Sequence, residues 1–600
     1  MDRIAPSRNP LNNSSTSWAP AHPLMSQTQL LFYSPNLLQK TARGFYQHIP
    51  SSYLVLKNYV REKDIDLFNN IEWHIPFFTV ESTDKVLTYI EKNNITCLCV
   101  GLYIWNYEHC CNLAKQVKER FQDTVKIVVG GPSCNSGTDP EWAVNHPWFD
   151  YSVAGDGEQP FLQVLKSVAG IKSLNPVSTK NIVYRDKGQI VKTAYQYHKP
   201  DGVSSPYLEL KDELAQLTKK IQDNNMPAII TYETSRGCPY GCTFCDWTSG
   251  LSHKVSKRQA PWADELDAIM DAGVDTIYIG DANYGQWDSD VELIKHMSHL
   301  AKTRGLAIGA YNMSKNKKAN VEKIFEIMAE NSLVDYFKLS VQDPDPTVLE
   351  AIVRPDITWE EHVAMKDRLE AKFPKVWSEV ELILGLPGQT RQGWEQSVQQ
   401  VLESGCFTRV MGFEILPQSP AGYDQEYRAK WAINNRTIWY PFQYKFDDSV
   451  DDYSLIARPS DSVLSTSTFS IADRAYMTLW YLFIQSVLNK MDLFGFLFSQ
   501  KQQREIWPLI VDFLTSINYR DQLIMLSENL ANNFEREQAL FVLSIPQYDG
   551  TVSLIRPNFH IDEIVESNKQ IFLDLLESRG MLEQYNVYQS QPKRFRGLNL

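Results

Sequence analysis

The stretch Thr234-Ser-Arg-Gly-Cys-Pro-Tyr-Gly-Cys-Thr-Phe-Cys-Asp-Trp247 places three cysteines on one short loop. Cys238, Cys242 and Cys245 are separated by three and then by two residues. Three thiolates at this spacing can ligate three irons of a four-iron cluster, and without a fourth cysteine nearby one iron stays open to an outside ligand. The loop therefore predicts a [4Fe-4S] centre at which chemistry can take place.

Two other uses of these cysteines fit less well. The chain has nine cysteines, an odd number, and we expect no signal peptide. Cysteines this close on one loop also pair poorly, so disulfides are disfavoured. A structural zinc site normally has four protein ligands in two close pairs, and no second pair follows this loop. A cluster remains the favoured interpretation.

The segment from about residue 226 to about residue 420 predicts parallel β/α units, because strand-like apolar runs alternate with amphipathic stretches of helical period. The strand-like segments are 227–233, 276–285, 336–342, 379–390 and 410–417. In a parallel barrel the carboxyl ends of the strands carry the site. Polar residues at those ends are therefore candidate ligand contacts.

The cysteine spacing, the preceding apolar run and the aromatic Phe244 together resemble the radical S-adenosylmethionine (SAM) enzymes. In that family the open iron binds the amino and carboxylate groups of SAM, and reductive cleavage of SAM gives a 5′-deoxyadenosyl radical that abstracts hydrogen from the substrate. The resemblance implies that Cys238, Cys242 and Cys245 ligate the cluster. Asp246 and Trp247, beside the cysteines, are the nearest candidates for a catalytic role.

The same resemblance implies a set of SAM contacts after the later strands. Taken alone, each of these polar residues fits a helix cap or a turn better, and it is their order after the cysteine loop that favours ligand contacts. The parity of the strand leaves open whether Glu381 points into the barrel or away from it. The implied SAM contacts are Asp281, Asn283, Ser340, Gln342, Arg354, Glu381, Gly385 and Pro387.

A second set of short strands precedes the barrel, at 29–34, 72–78, 96–105, 126–132 and 151–158. Short buried strands with glycine at their carboxyl ends favour an open doubly wound sheet that binds its ligand beyond those ends. Glycines there let a large flat ligand or a phosphate approach the backbone. These residues alone leave a nucleotide, flavin or response-regulator module open.

Gly130-Gly-Pro132 and Gly155-Asp-Gly-Glu158, upstream of such a barrel, are similar to the cobalamin-binding domain of the B12-dependent radical SAM enzymes. Those enzymes often carry the cysteine loop as TSRGCPxxCxFCDW, and the resemblance covers about residues 26–420. The implied cobalamin contacts are Tyr103, Trp105, Asn106, Gly130, Gly131, Pro132, Gly155, Asp156, Gly157 and Glu158.

The chain lacks the Asp-x-His-x-x-Gly motif whose imidazole coordinates cobalt in other cobalamin proteins. We therefore expect a cobalamin without a histidine ligand, its lower face covered by the Trp105-Asn106 loop. An ordinary packing role for Trp105 stays open. Cys110 and Cys111 follow on a predicted helix, where inert thiols are the favoured interpretation.

The predicted fold is α/β in five segments. These are a mobile tail (1–25), a flavodoxin-like doubly wound cobalamin-binding domain (26–175), a hairpin with a linker helix (176–225), a partial (β/α)6 radical SAM barrel (226–420) and a mostly helical C-terminal substrate or closing domain (421–600).

Composition narrows the function classes. The net charge of -13 argues against nonspecific binding of nucleic acid. The apolar stretch 476–488 is too short to span a bilayer and is soon followed by charges, so no membrane association is expected. Thiols that carry a cluster favour a reducing cytoplasm. The expected partners are a small-molecule or peptide substrate and an electron-donor protein such as a flavodoxin or a ferredoxin.

The resemblance implies an enzyme that methylates an unactivated carbon of a natural product or peptide, using SAM, methylcobalamin and the cluster. A rearrangement or cyclisation with the same cofactors, and polar instead of radical methyl transfer, stay open. A non-catalytic cobalamin or redox sensor is a further alternative, against which the intact SAM-contact pattern speaks. A methylthiotransferase fits less well, because we expect no N-terminal domain with three cluster cysteines.

Overall fold

The computed structural model describes residues 27–36, 39–41, 44–134, 139, 141–196, 203–248, 255–310, 313, 320–354, 357–441, 457–532 and 561–590. The predicted tail, residues 1–25, lies outside this range. No helix in the described part of the chain combines the length and the apolar content of a membrane span.

The first part of the chain alternates short strands with helices. Its strands are β1 (Thr28–Tyr33), β2 (Gln39–Thr41), β3 (Gly44–His48), β4 (Ile71–Trp73), β5 (Cys97–Gly101), β6 (Lys126–Gly130), β7 (Tyr151–Val153), β8 (Ile182–Asp186) and β9 (Gln189–Lys192). Its helices are α1 (Ser51–Lys63), α2 (Ile65–Asn69), α3 (Thr83–Lys92), α4 (Tyr107–Phe121), α5 (Trp142–Asn145), α6 (Glu158–Val168), α7 (Pro206–Glu209) and α8 (Lys211–Gln222).

Seven of these strands form one sheet in the order β4-β1-β5-β6-β7-β8-β9. The first five are parallel, and numbered along the chain they follow the order 2-1-3-4-5 of flavodoxin-like sheets. The predicted doubly wound fold is confirmed. The switch in strand order, where such sheets bind ligands, lies between β1 and β5.

Both faces of this sheet are covered, as its apolar strands require. In β1, Leu30 and Phe32 join the core cluster on one face, and Leu31 and Tyr33 join the cluster on the other. The Phe32 ring lies 5.1 Å from the ring of Tyr53 in α1. Successive side chains of a strand point to opposite faces, so an uninterrupted apolar strand needs helices on both sides.

The barrel follows. Its strands are β10 (Ala228–Tyr232), β11 (Ser235–Arg236), β12 (Ser256–Lys257), β13 (Thr276–Ile279), β14 (Ala307–Ala310), β15 (Tyr336–Gln342), β16 (Trp377–Leu384), β17 (Phe407–Gly412) and β18 (Glu414–Ile415). Its helices are α9 (Trp262–Asp271), α10 (Asp288–Arg304), α11 (Val321–Glu330), α12 (Pro346–Ala351), α13 (Trp359–Lys372) and α14 (Arg391–Glu403).

The barrel strands pair in two parallel groups. β10, β13 and β14 form one group, and β15, β16 and β17 form the other. Within the described residues the two groups belong to separate hydrogen-bonded sheets. This is the predicted α/β barrel, with β14 added, which the sequence did not predict.

Two strand pairings differ from the predicted segment boundaries. β3 lies parallel to β10, so residues 44–48 extend the barrel sheet instead of the flavodoxin-like sheet. The hairpin β8-β9 pairs antiparallel to β7 and extends the flavodoxin-like sheet, instead of standing apart as a linker. The linker helix predicted within 176–225 is two helices, α7 and α8, separated by Leu210.

The C-terminal region contains α15 (Pro420–Tyr423), α16 (Gln425–Lys430), β19 (Asn434–Pro441), β20 (Ala457–Ser465), α17 (Ile471–Lys490), α18 (Leu493–Ser499), α19 (Ile506–Ser516), α20 (Tyr519–Asn532), α21 (Ile561–Ser567), α22 (Lys569–Ser578) and α23 (Leu582–Ser590). The expectation of a mostly helical region needs correction at its start, where β18, β20 and β19 form an antiparallel sheet.

The C-terminal helices cover the barrel. The Tyr481 hydroxyl of α17 donates a hydrogen bond to the Thr408 carbonyl of β17 at 2.9 Å. Phe494 of α18 packs its ring 5.6 Å from Trp377 and 5.2 Å from Phe407. Both partners stand at the amino ends of their strands, so this end of the barrel is closed and the carboxyl ends stay available for a site.

Candidate functional site

The cysteine loop begins at the carboxyl end of β10. Cys238 and Cys242 are buried, Cys245 is half-buried, and no disulfide joins any of the nine cysteines. Within the described residues, no three His, Cys, Asp or Glu side chains form a group that could hold a single metal ion. A four-iron cluster is bound differently, because each thiolate ligates its own iron. The fit to a cluster rests on the three thiols and their spacing.

Asp281 holds the start of the cysteine loop. Its fully buried carboxylate accepts hydrogen bonds from the Thr234 backbone N–H at 2.6 Å and from the Ser235 hydroxyl at 2.9 Å. The Thr234 hydroxyl donates to the same group. Burial raises the pKa of Asp281 to about 6, against the opposing effect of these hydrogen bonds. With its oxygens engaged by the loop, Asp281 fits a positioning role.

Asn283, two residues further on, is different. Its side chain is buried, yet neither its amide oxygen nor its amide nitrogen has a hydrogen-bond partner in the described protein. An unsatisfied buried amide costs about 1–3 kcal/mol. A buried amide with both atoms unpartnered can bond a ligand, so Asn283 fits the implied contact with SAM.

Gln342 also has a buried amide atom without a partner in the described residues, and its backbone is strained. It is buried, its Oε1 has no partner in the described residues, and its φ is +72°. The pairing of β15 with β16 is irregular between Leu339 and Gln342. A positive φ is rare for a residue other than glycine, and such strain concentrates at functional sites.

Ser340 and Glu381 face each other across β15 and β16. The Ser340 hydroxyl donates to Glu381 Oε2 at 2.7 Å, and Lys338 Nζ lies 2.7 Å from Glu381 Oε1. Glu381 therefore lies on the same face of the sheet as the Ser340 side chain. Burial raises its pKa, but Lys338 and Ser340 outweigh burial and the pKa is lowered.

A second ion pair lies on the neighbouring strands. Arg409 Nη2 contacts Glu379 Oε2 at 2.9 Å, and the Glu379 side chain is fully buried. Burial is the largest influence and raises the pKa of Glu379. Neither residue was predicted, because charged residues inside a strand give no sequence signal of which face they occupy.

Arg354 reaches the cysteine loop. Its Nη1 lies 3.8 Å from Cys242 Sγ, and its Nη2 donates to the Ser340 carbonyl. The guanidinium carbon lies 5.9 Å from the centre of the Phe244 ring. The residue implied as a SAM contact thus touches a predicted cluster ligand.

The Gly385–Gly388 turn follows β16. The backbone N–H groups of Gly385 and Leu386 donate to Gln389 Oε1 at 2.7 Å and 3.0 Å. Gly385 has φ +99°, and a Cβ there would lie 3.2 Å from Arg474 Nε. Pro387 is buried within the turn. Gln389 thus fixes the conformation of the turn, and Arg474 of the C-terminal α17 packs against Gly385.

Asp246 and Trp247 lie at the edge of the cysteine loop, in a single 3-10 turn. Asp246 Oδ1 is buried without a partner in the described residues, and burial raises the pKa of Asp246 to about 6. Trp247 is 42% exposed. An exposed indole beside the cysteines fits a surface that meets a ligand.

The loop after β5 carries the implied cobalamin contacts. Tyr103 and Trp105 stack with ring centres 4.7 Å apart and 10° between the planes. The Asn106 amide accepts from the Tyr103 N–H at 2.8 Å and donates to the Pro35 and Gly101 carbonyls, each at 3.0 Å. Asn106 therefore shapes the loop, and the aromatic pair offers the flat surface.

The glycine loops after β6 and β7 stand at the same edge of the sheet. Gly130 is half-buried, Gly131 and Pro132 are exposed, and a Cβ on Gly131 would meet the Leu102 carbonyl at 2.5 Å. Gly155 is exposed and Gly157 half-buried. The carbonyl of Pro132 accepts a hydrogen bond from Gln418 of the barrel region.

An arginine of the cysteine motif joins the two regions. Arg236 Nη1 lies 2.6 Å from Glu158 Oε1 and 3.8 Å from Asp156 Oδ1, and its Nε donates to Glu233 Oε2 at 2.9 Å. Burial raises the pKa of Asp156 to about 6. The sequence displayed Arg236 within the motif, but nothing in it linked this residue to a loop some 80 residues earlier.

Comparison with known families adds an independent finding. Residues 232–401 match the radical SAM superfamily. The 2-(S-pantetheinyl)-carbapenam-3-carboxylate methyltransferase of Streptantibioticus cattleyicolor is 28% identical over 371 residues, covering 61% of this chain and 53% of that protein. The cobalamin-dependent radical SAM methyltransferase TokK of Streptomyces tokunonensis is 28% identical over 384 residues, covering 62% and 54%. The chain spans about half the length of these curated relatives.

Solved structures share the fold. The cobalamin-dependent SAM radical enzyme OxsB, with aqua-cobalamin bound, matches with a TM-score of 0.58 at 13% identity, over 94% of this chain and 84% of that chain. The radical SAM methyltransferase TsrM from Kitasatospora setae, with cobalamin and a [4Fe-4S] cluster bound, matches with a TM-score of 0.50 at 13% identity, over 71% and 78%.

Proposed function

Because residues 232–401 form a radical SAM domain, we propose that the protein is a B12-dependent radical SAM methyltransferase that methylates an unactivated carbon of a natural product or peptide. One observation carries this proposal. The glycine loops of the flavodoxin-like sheet and the cysteine loop of the barrel meet directly, through the 2.6 Å contact between Glu158 and Arg236. The ligand-binding edges of the barrel and of the flavodoxin-like sheet therefore face each other. This arrangement fits SAM at one edge and cobalamin at the other, with a methyl group transferred between them.

The relatives support the same activity. Both curated relatives are named as methyltransferases, and the second is named as cobalamin-dependent. The two solved structures contain cobalamin. We extend these properties to this chain because its own loops provide the matching residues.

Cys238, Cys242 and Cys245 are the proposed cluster ligands. When bound, the cluster supplies the electron that cleaves SAM, and cobalamin carries the methyl group. The protein positions both groups. Asp281 fixes the start of the cysteine loop through Thr234 and Ser235, and its own burial keeps this attachment away from water.

The proposed SAM contacts differ in the kind of hydrogen bond that they offer. Asn283 has both an unpartnered donor and an unpartnered acceptor, and Gln342 has an unpartnered acceptor. Ser340 donates its only hydroxyl proton to Glu381, so its oxygen can only accept from a ligand N–H or O–H. The Gly385 and Leu386 N–H groups are bonded to Gln389, so these two residues would offer SAM van der Waals contact and no backbone donor.

Cobalamin is proposed to lie between the two regions. The stacked Tyr103 and Trp105 rings provide a flat surface for one face of the corrin, held in place by Asn106. Gly130, Gly131 and Pro132, with the loop Gly155–Glu158, leave room for a large ligand near the backbone. The loop between β5 and α4, residues 102–106, contains no histidine, in keeping with a cobalamin that has no histidine ligand.

The remaining parts of the proposal concern partners. The substrate is a small molecule or a peptide, selected by the C-terminal region that packs against β17 and the Gly385–Gly388 turn. The electron comes from a donor protein such as a flavodoxin or a ferredoxin in a reducing cytoplasm. Asp246 and Trp247 shape the site beside the cysteines.

The test is an anaerobic assay with the full-length chain, reconstituted with iron, sulfide and hydroxocobalamin. It uses a reductant, methyl-deuterated SAM and candidate substrates, of which a carbapenam with a pantetheine side chain is the first. The proposal predicts 5′-deoxyadenosine, S-adenosylhomocysteine and a deuterated product together. The control is the chain with all three cluster cysteines replaced by alanine, which we expect to give no 5′-deoxyadenosine.

Other outcomes separate the alternatives. S-adenosylhomocysteine and labelled product without 5′-deoxyadenosine would indicate polar methyl transfer. 5′-Deoxyadenosine alone would indicate a rearrangement or cyclisation. Bound cofactors without SAM cleavage over the full range of candidate substrates would support a sensor and contradict the proposal.

A further inference from the structure

Arg354 lies between the cysteine loop and strand β15. Only 2% of the residue is exposed. One guanidinium nitrogen, Nη1, lies 3.8 Å from Cys242 Sγ, which is within hydrogen-bond distance for sulfur, and Nη2 donates to the Ser340 carbonyl. Phe244, inside the cysteine loop, lies beside the guanidinium. A buried cation is thus held against a predicted cluster ligand.

The turn that carries Arg354 is attached to the same loop. The Ile352 carbonyl accepts a hydrogen bond from the Thr243 N–H at 3.0 Å, next to Cys242. Val353 has φ +53°, a left-handed conformation that is strongly disfavoured for a β-branched side chain, and it is 52% exposed. Because the Val353 side chain is half exposed, its burial does not offset this strain. The left-handed residue reverses the chain direction after α12 and so brings Arg354 to the cysteine loop.

These contacts join parts of the barrel that no described strand pairing joins. The cysteine loop follows β10, while Ser340 lies on β15, and the two strands belong to separate hydrogen-bonded sheets. Arg354 contacts both sides at once. Any displacement of Cys242 away from Ser340 would break a buried hydrogen bond of a charged group, which is worth more than a neutral one.

We propose that Arg354 is a positioning residue that hydrogen-bonds the Cys242 ligand of the cluster and raises the reduction potential of that cluster. This inference rests on the cluster of the proposed function. Hydrogen bonds to the sulfurs are among the features that set the potential of iron–sulfur clusters. Reduction adds one electron to the cluster, and both an N–H donor at sulfur and a nearby positive charge stabilise the more negative, reduced state.

The test is a redox titration of the reconstituted full-length chain without SAM, with dithionite as the electron source and electron paramagnetic resonance of the reduced cluster as the readout. Three variants separate charge from hydrogen bonding. Arg354→Lys keeps the charge, Arg354→Gln keeps an N–H donor without charge, and Arg354→Met has neither. We expect the midpoint potential to become more negative in all three, with the largest shift in Arg354→Met.

Two further measurements distinguish tuning from simple structural support. The matched control is Arg368→Met, which removes an exposed arginine that is paired with Glu322, and it should leave the potential unchanged. In chain labelled with ¹⁵N-arginine, the reduced cluster should show a nitrogen hyperfine coupling that Arg354→Met abolishes. Arg354→Lys and Arg354→Gln carry the test if Arg354→Met fails to fold.

The possible results of these experiments distinguish a failure of the role of Arg354 from a failure of the proposed function. Variants that bind four irons per chain and keep the wild-type potential would overturn the role of Arg354 and leave the proposed function intact. A wild-type chain that gives no cluster signal after reconstitution would overturn the proposed function itself, and this inference with it.

Discussion

Arg236 Nη1 and Glu158 Oε1 lie 2.6 Å apart, although Arg236 belongs to β11 beside the barrel and Glu158 begins the helix that follows β7 of the flavodoxin-like sheet. Glu158 is the first residue of α6, directly after the loop implied to hold cobalamin. Arg236 lies two residues before Cys238. The side chains are 24% and 9% exposed, so this ion pair is largely shielded from water. It fixes the separation of the two loops on which the proposed function depends.

Replacing Glu158 by Gln should destabilise the protein by about 1–2 kcal/mol, because the charge-assisted contact with Arg236 is lost while Glu233 and Asp156 still neutralise the guanidinium. It should also raise the dissociation constant for cobalamin. Urea unfolding and absorbance titration with hydroxocobalamin measure the two effects. The control is Arg368→Gln, which breaks the exposed pair with Glu322 and should cost less than about 1 kcal/mol. Equal costs for both variants would show that the Arg236 contact has no special role.

Replacing Asn283 by Ala should weaken SAM binding about 10- to 100-fold, since a buried hydrogen bond to a charged ligand is lost. The same change should leave the ligand-free protein as stable as before, or more stable, because the Asn283 amide has no partner in the described residues. Equilibrium dialysis with labelled SAM and thermal unfolding measure the two quantities on the reconstituted chain.

Asn106→Ala is the matched comparison for that variant. The Asn106 amide makes three hydrogen bonds, to Tyr103 in its own loop, to Gly101 at the end of β5 and to Pro35 after β1, so its loss should destabilise the protein by about 2–3 kcal/mol without a large change in SAM affinity. If Asn283→Ala instead destabilised the protein and bound SAM normally, Asn283 would be a structural residue.

Replacing Gly385 by Ala should destabilise the turn after β16 through two effects. Its φ of +99° is unfavourable for alanine, and the added Cβ would lie 3.2 Å from Arg474 Nε and 3.6 Å from Phe413 Cβ. Gly188→Ala is the reference, because Gly188 has φ +81° with nothing within 4 Å of an added Cβ. We expect about 1 kcal/mol for Gly188→Ala and about 1–2 kcal/mol more for Gly385→Ala. Only Gly385→Ala should weaken SAM binding.

Asp343 gives a pH dependence with a defined sign. Its carboxyl group is buried, which raises its pKa to about 6, although Asp345, Ser397 and Gln389 donate hydrogen bonds to it. A carboxyl whose pKa is higher in the folded than in the unfolded protein stabilises the fold below about pH 4. That contribution is lost as the pH rises through about 6.

The free energy of unfolding of the wild type minus that of Asp343→Asn should therefore fall by about 2–3 kcal/mol between pH 4 and pH 7. Urea unfolding of both proteins at several pH values measures it. A difference that is constant over this range, or one that grows with pH, would contradict the raised pKa.

A flavodoxin-like sheet followed along the chain by an α/β barrel could be predicted, because the strands that were predicted there are apolar runs that end at glycine or polar residues. β14 escaped prediction because Ala307-Ile-Gly-Ala310 is short and rich in residues with low strand propensity. The pairing of β3 with β10 joins residues about 180 positions apart, and no local pattern encodes such a contact. The antiparallel pair β19-β20 was missed because residues 421–600 were predicted to be mostly helical.

In the candidate site, too, the local motifs could be predicted and the contacts between distant segments could not. The motif identified the cysteines, and the order of the later motifs pointed to Asn283 and Gln342, whose burial and unpartnered atoms only the structure could supply. The direction of Glu381 depended on the neighbouring strand, because only its contacts with Ser340 and Lys338 define the face. The contact of Arg236 with Glu158 depends on how two sheets are placed, and a single sequence carries no record of it.

The measurement that tests the central claim most directly is cofactor stoichiometry. The full-length chain is reconstituted anaerobically with iron, sulfide and hydroxocobalamin, freed of excess reagents, and analysed for iron and cobalamin. The account predicts four irons and one cobalamin per chain, and a variant with Cys238, Cys242 and Cys245 all replaced by alanine that loses the iron and keeps the cobalamin. A wild-type chain that binds no cobalamin, or a triple variant that retains the iron, would contradict it.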